Sequence, residues 1–236
     1  MALASSTFEL MGESNRQPVR KLPDTEVAAS GAAAPREDGR AVRGRATRAA
    51  VLRAARELFA ERGYADVGTN EVVERAGVTR GALYHHFEDK RALFRAVYEE
   101  LEQEVAEQIV AAVAREPRAE RHLVVGVNAF LDVCLEPAHR RISLIEAPSV
   151  LGHQEWRGIG AEYSLGLLRA ALEAAMQTGA IEPQPVDTLA HLMLGALAEA
   201  ALMLARADDL EVARAEVGRT VARLLEGLAP RSSALD

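Results

Sequence analysis

Gly77 constrains the fold of this chain most, because of what lies on either side of it. Residues 69–87 read Thr-Asn-Glu-Val-Val-Glu-Arg-Ala-Gly-Val-Thr-Arg-Gly-Ala-Leu-Tyr-His-His-Phe. From about Thr69 to Ala76 the pattern is helical, with Val72 and Val73 turned inward. From about Arg80 to His86 it is helical again, with Ala82, Leu83 and Phe87 at the apolar positions. Gly77-Val78 is the turn between them. Thr79 is a strong N-cap for the second helix. Gly68 is a tolerable one for the first, with Glu71 placed three residues on to reach back to the cap N–H. Two short helices around such a turn let the second project into a DNA major groove while the first packs behind it. Ala76 is small where the helices cross, Val78 plugs the core between them, and Thr79 leaves N–H groups aimed at phosphate.

The rest of the pattern is helical too. Aromatic residues are only 4% of the chain, and Ala, Leu, Glu and Arg dominate, a composition that favours helix over sheet. A helix beginning near Arg45 carries the stripe Val51, Leu52, Ala55, Leu58 and Phe59. Gly63 stops it and suits a left-handed position after the helix end. Asp89 starts a long helix striped by Leu93, Phe94, Val97, Leu101, Val105, Ile109 and Val113, and Pro117 ends it. Further helices are expected near 119–136, 137–147, 153–178, 186–206 and 209–228, and no stretch alternates like a strand. The expected fold class is all-α. Residues 1–40 are rich in Ala, Ser, Pro and Gly and read as a disordered tail, within which Met11 is an alternative start.

The net charge is −7, which argues against nucleic acid until its distribution is read. From Arg36 to Ala96 there are 13 basic and 9 acidic residues; from Val97 to Asp236 there are 12 basic and 22 acidic. A basic front half can meet phosphate while an acidic back half stays off it. Cys134 is the single cysteine, so no internal disulfide can form, in keeping with a cytoplasmic protein. No run of about 18 apolar residues marks a membrane span, and no basic region followed by an apolar stretch marks a signal peptide.

The segment Ala-Gly-Val-Thr-Arg-Gly-Ala-Leu-Tyr-His-His-Phe, residues 76–87, followed by Asp89-Lys90, resembles the signature of the tetracycline-repressor (TetR) family of transcriptional regulators almost letter for letter. With the preceding helix the resemblance covers roughly residues 45–98. One departure is Gly68, where the family has a hydroxyl residue; Thr69 could supply the hydroxyl instead. By position, the resemblance implies that Thr69, Thr79, Tyr84, His86 and Lys90 hold phosphates and that Arg80, Gly81, Ala82 and His85 face base edges. Arg80 would read guanine, Ala82 would touch a thymine methyl, and Gly81 would permit close approach. Arg45 and Arg48, with Arg40 and Arg43, would reach the minor groove or flanking phosphates; a solvated tail is the competing reading. Half-buried packing competes for Tyr84. A metal pair competes for His85 and His86, but adjacent helical residues point about 100° apart.

Nothing in residues 99–236 resembles catalytic machinery. Ser164 lacks a Gly-x-Ser-x-Gly setting, and Gly158-Ile-Gly160 lacks a third glycine and a preceding strand. Cys134 and His139 read as a core thiol and a surface imidazole. The resemblance implies a helical domain with a cavity for a small molecule. Val127, Phe130, Cys134, Trp156, Tyr163, Leu167 and His191 are its candidate lining, with Asn128 and Glu199 as nearby polar groups; ordinary core is the competing reading. The small-residue-rich final helices suit a homodimer through a four-helix bundle. Its candidate contacts are Leu192, Gly195, Ala196, Glu199, Met203, Val217, Val221, Leu224 and Leu228.

The expected organisation is therefore a tail (1–40), a helix-turn-helix DNA-binding domain (41–92, motif 68–87) and an effector-binding and dimerisation domain (93–236). The expected partners are a palindromic double-stranded operator, a largely hydrophobic small-molecule effector and a second copy of the chain, with no cofactor and no metal. A ligand-independent architectural DNA-binding protein, which predicts a filled core, is the alternative. An enzyme would need convergent titratable groups in a cleft.

Overall fold

The computed structural model describes residues 39–230. The expected tail therefore lies outside the described residues up to position 38, and helix is already present at Gly39. The chain divides into two units, 1–46 and 47–236. Of the first, the described part is the opening of α1 (Gly39–Arg62). The second holds α2 (Thr69–Ala76), α3 (Arg80–His86), α4 (Lys90–Val113), α5 (His122–Val133) and α6 (Pro137–His139). A π-helical stretch (Arg140–Glu146) follows, then α7 (Ala147–Val150), α8 (His153–Gln177), α9 (Val186–Arg206) and α10 (Leu210–Glu226). The described residues contain no strand, so the all-α reading holds.

The local signals act as expected around the motif. Glu71 accepts from the Gly68 N–H at 2.9 Å, the half of a capping box that Gly68 leaves possible. The Ala82 N–H donates to Thr79 Oγ1 at 3.2 Å and the Ala92 N–H to Asp89 Oδ1 at 2.7 Å, so α3 and α4 each start on a side-chain cap. Gly77 takes the left-handed conformation, φ 66°, and closes α2.

Two elements depart from expectation. α4 ends at Val113, not at Pro117, and its last turn tightens through bonds from the Arg115 and Glu116 N–H groups to carbonyls three residues back. Pro117 cannot donate to the Val113 carbonyl and disfavours helix at the residue before it, so the helix closes early. The helix expected over 137–147 passes into the π-helical stretch, where the repeat is wider. Pro148 contributes, because it cannot donate to the Leu144 carbonyl one α-turn back. π-turns are rare and concentrate at functional sites.

α4 organises the core. Leu93, Phe94, Val97, Tyr98 and Leu101 are buried along it, and it packs on α5, α8 and the π-helical stretch. The boundary expected at 92/93 falls inside its first turn, so the two functional halves share one continuous helix. Phe94 meets Phe59 and Tyr64 edge-on, at 5.3 and 5.1 Å between ring centroids. Leu83 of α3, Phe87 just after it and Val72 of α2 join the same core.

Gly63 holds φ 90°, and a Cβ there would sit 2.3 Å from Glu146 Oε1. Gly63→Ala should therefore lower unfolding stability by about 1–3 kcal/mol, from left-handed strain plus displacement of Glu146. Equilibrium urea unfolding measures it, and an unchanged midpoint would refute this account of the turn.

Candidate functional site

α3 is anchored from below and bare above. Leu83 and Phe87 are buried, while Thr79, Arg80, Gly81, Tyr84 and His85 are exposed and Ala82 and His86 half-buried. Tyr84 is 40% exposed, so it stands outside the core. Its hydroxyl lies 3.3 Å from Thr69 Oγ1, and the Arg80 guanidinium sits 5.5 Å from its ring centroid. Thr69 first, and then Arg80, lower its phenol pKa. These contacts join α2 and α3 into one polar surface. Lys90 Nζ lies 4.2 Å over the Tyr64 ring and donates to the Ala65 carbonyl at 3.5 Å. The Arg48 guanidinium stands 5.5 Å from the Phe87 ring. Arg45 is exposed on the opening of α1, in the first unit. The His85 and His86 ring centroids are 5.2 Å apart, with the rings inclined at 65°. Behind this surface Arg62 pairs with Glu71 at 2.5 Å, and Arg62 first, then the Gly68 N–H, hold the Glu71 carboxyl down at about 2.

The motif is tied to the back half at two points. Glu146 Oε2 accepts from the Tyr64 N–H at 2.6 Å, and Arg141 donates to the Glu61 carbonyl at 3.2 Å. Both side chains come from the π-helical stretch and grip the turn between α1 and α2. On α4, Arg91 donates to the Val150 and Leu151 carbonyls at 3.3 and 3.0 Å and pairs with Glu155 at 2.5 Å. The sequence pattern shows the long helix α4 but not the roles of Glu146 and Arg141. Glu146 lies 82 positions from Tyr64, and no local pattern links them.

Deeper in the back half, Glu102, His139 and Ser143 are the buried polar side chains among the described residues. Tyr98 donates to the Trp156 carbonyl at 3.1 Å, and the Trp156 indole N–H donates to the Ser143 carbonyl at 2.8 Å. Burial pushes the Glu102 carboxyl up to about 7, against an opposing hydrogen bond with Tyr98. Burial, then the charge of Arg56, pushes the His139 imidazole down to about 4. Burial, then Glu102, raises the Cys134 thiol. His139 is only 2% exposed, which corrects its reading as a surface imidazole: it ends α6 facing inward.

With that geometry in place, comparison with known proteins is direct. The family described as bacterial regulatory proteins, tetR family, matches residues 51–97, and the tetracyclin repressor-like C-terminal domain matches 120–228. The crystal structure of a TetR-family transcriptional regulator from Pectobacterium atrosepticum is 32% identical. It superposes with a TM-score of 0.72 over 80% of this chain and 97% of that one. The chain belongs to the TetR family of transcriptional regulators. The TetC protein of transposon Tn10 from Escherichia coli is 28% identical over 148 residues, covering 60% of this chain and 71% of that protein. The fold is shared by FadR from Bacillus subtilis, solved in complex with stearoyl-CoA, at 18% identity and a TM-score of 0.62 over 77% of this chain and 99% of that one.

Within this TetR-family frame the remaining expected residues divide. Val127, Cys134 and Trp156 are buried in the core; Phe130 and Tyr163 pack against it and Leu167 is half-buried. His191 is exposed and bonds to the Asp187 carbonyl one turn back, so it does not line an interior site. Asn128 and Glu199 are exposed as well. The interior polar groups are Glu102, His139 and Ser143 instead. Two open surface clefts, of about 600 and 410 Å³, lie at residues 151–155 and between α4 and α5, and none of the seven expected residues lines either.

On the last two helices, Leu192 is 69%, Met203 58% and Leu224 61% exposed. With the exposed Ala196 and Glu199 they make a solvent-facing stripe on α9 beside α10. Val217 departs from this face: it is buried, on the side where α10 packs on α9 and α5. Gly195, Val221 and Leu228 are half-buried. The two apolar sides make α9 long and apolar enough to cross a membrane by composition, with mean hydropathy 1.6. The sequence reading found no such run. The matched C-terminal domain includes this helix, and its buried face explains part of the excess.

Glu102 and His139 titrate in opposite senses. Glu102 holds its proton to about pH 7 when folded, against 4.5 ordinarily. Its contribution to stability is full below 4.5 and is lost as the pH rises through 7. His139 titrates near 4 instead of 6.5, so its contribution is full above 6.5 and is lost as the pH falls through 4. Each displacement corresponds to about 3 kcal/mol. Relative to the parent chain, Glu102→Gln should gain about 3 kcal/mol between pH 4.5 and pH 8. Urea unfolding at the two pH values measures it, and a pH-independent difference would refute the buried-acid assignment.

Proposed function

We propose that the chain is a cytoplasmic, homodimeric repressor that leaves a palindromic operator when a small, largely hydrophobic effector binds its back half. The exposed face of α3, rigidly seated on Leu83 and Phe87, carries this reading. Arg80 would read guanine, with Ala82 and His85 beside it on base edges and Gly81 permitting close approach. Thr69, Thr79, Tyr84, His86 and Lys90 would fix the register on phosphates, and Arg45 and Arg48 would add flanking contacts. The exposed stripe of Leu192, Met203 and Leu224 would pair with its symmetry mate, and a two-fold dimer matches a palindrome. The match to a tetracyclin repressor-like C-terminal domain supports repression by an effector-responsive domain. So does the stearoyl-CoA bound by one structural neighbour.

Release follows from linkage. An effector shifts the dimer only by its differential affinity for the operator-competent and released states, so DNA and effector weaken each other reciprocally. α4 and the π-helical stretch are the physical connections, because both reach from the interior of the back half to the turn before α2. The ligand-independent architectural reading draws on one observation: neither recorded cleft touches the expected lining.

A gel shift on the DNA upstream of the chain's own gene, repeated with hydrophobic cations and acyl compounds, tests operator and effector together. Arg80→Ala should cost about 1–3 kcal/mol of operator affinity and relax specificity at one base pair, whereas Lys90→Ala should weaken all sequences alike and reduce the salt slope by about one. Affinity that ignores salt and survives Arg80→Ala would end the operator-binding reading.

Glu146→Ala separates the connection from the contacts. It removes the acceptor of the Tyr64 N–H without touching α3. Operator affinity without effector should change less than about tenfold, while effector-driven release weakens. Retained release in this variant would place the coupling on α4 alone.

A further inference from the structure

The interior of the back half contains a defect in its hydrogen bonding. His139 Nδ1 and Ser143 Oγ are buried and have no partner. Such atoms are uncommon in folded proteins, and each usually reports an absent water, ion or ligand. Four positions apart on one helical stretch, the two side chains lie on neighbouring parts of one face. A serine inside a helix ordinarily returns its hydroxyl to the carbonyl four residues back. Ser143, within the π-helical stretch from Arg140 to Glu146, makes no such bond.

A hydrogen-bonded chain of buried groups leads away from Ser143. The Ser143 carbonyl accepts from Trp156, whose own carbonyl accepts from Tyr98. The Tyr98 phenol stands beside the Glu102 carboxyl. Tyr98 OH and Glu102 Oε2 lie 3.5 and 3.6 Å from where a Cβ on Gly160 would stand, leaving a methyl-sized space beside them. Tyr163, half-buried, is close enough to Glu102 for that carboxylate to raise its phenol, after burial, Glu99 and Glu162.

Resting on the effector-domain reading above, we propose that this cluster receives the hydroxyl group of a neutral, largely apolar alcohol or phenol. A hydroxyl both donates and accepts, so one such group can complement an imidazole nitrogen and a serine hydroxyl together. An ether oxygen only accepts, and so does a carboxylate. An anion finds no free cation here, because Arg56, the charge felt by His139, already pairs with Glu104. A cation would need an ionised Glu102, which burial opposes. The side chains packed around the cluster are apolar, in keeping with a largely apolar body for the molecule.

The chain carries its own reporter. Trp156 is its single tryptophan, and its indole N–H is bonded to the backbone of Ser143. The test titrates the full chain with cyclohexanol, 4-tert-butylcyclohexanol and 1-octanol while Trp156 emission is read. Methyl ethers, carboxylates and amines of the same skeletons serve as controls. At least one alcohol should shift emission saturably, with its ether, acid and amine about tenfold weaker or more. Ser143→Ala removes an unpartnered hydroxyl, so it should leave the melting temperature unchanged or raised while weakening that alcohol about tenfold. His139→Gln should weaken it as well. If no alcohol moves the emission, the cluster holds water alone and the proposal is overturned. Equal binding of the ether, tighter binding of the amine or acid, or full binding by Ser143→Ala overturns it too.

Operator binding, followed separately by fluorescence anisotropy, keeps the two readings apart. Silent emission with salt-dependent, Arg80-dependent operator binding removes the hydroxyl site and leaves the DNA reading standing. Saturable emission without operator release keeps the site and removes its role as effector.

Discussion

The packing of Phe94 against Phe59 and Tyr64 is the constraint on which the rest depends. Three rings from α1, the following turn and α4 meet within 5.1 to 5.8 Å. Edge-on aromatic pairs contribute about 0.5–1.5 kcal/mol each beyond the area they bury. Their larger effect is geometric. They fix where α1 stops and the angle at which α2 and α3 are presented to α4. Gly63 makes the turn sharp enough for Tyr64 to fold back, and Glu146 then takes the Tyr64 N–H that the turn leaves over. A small displacement at this corner is carried to Leu83 and Phe87, and so to every side chain on the outer face of α3.

How much of this was legible follows from the range of each signal. Helix caps, the Gly77 turn and the Leu83–Phe87 anchors act over four residues or fewer, and the sequence shows them directly. Apolar periodicity acts over a whole helix, so the long helix through Leu93 and Leu101 and the two final helices could be read almost to their ends. The interior of the back half is different. His139 reads as exposed and His191 as interior lining, and the structure reverses both. Each orientation depends on the rotation of a helix about its axis. A π-helical stretch alters that rotation without announcing itself in composition. Only Pro148, with its missing N–H, hinted at it.

Charge follows the same division. The acidic excess from Val97 onward disfavours contact of the back half with a phosphate backbone, yet among the described residues the buried carboxyl there is Glu102, whose ionisation burial opposes. The surface and the interior of one domain thus use acidic residues in opposite ways. Outside, ionised carboxylates set long-range repulsion that salt screens. Inside, a carboxyl favours its protonated form, so it can join a hydrogen-bonded cluster without placing a bare charge in the core.

The π-helical stretch is where these arguments converge. Its inner side carries Ser143, and His139 immediately precedes it, each with an unsatisfied polar atom. Its outer side carries Arg141 and Glu146, which hold the turn before the DNA-binding motif. Within this one stretch Ser143 Oγ has no partner and Glu146 accepts from the Tyr64 N–H. A molecule that satisfied the inner atoms would stabilise one rotation of this segment over another, and the outer side chains would turn with it. Packed elements change between discrete arrangements more readily than they deform, so one hydrogen-bonded hydroxyl inside is chemically sufficient to bias the grip outside. A regulator built this way needs no large cavity in the unliganded state. It would need a buried defect that a ligand repairs and a rigid segment that reports the repair, and on the proposal above residues 139–146 would supply both.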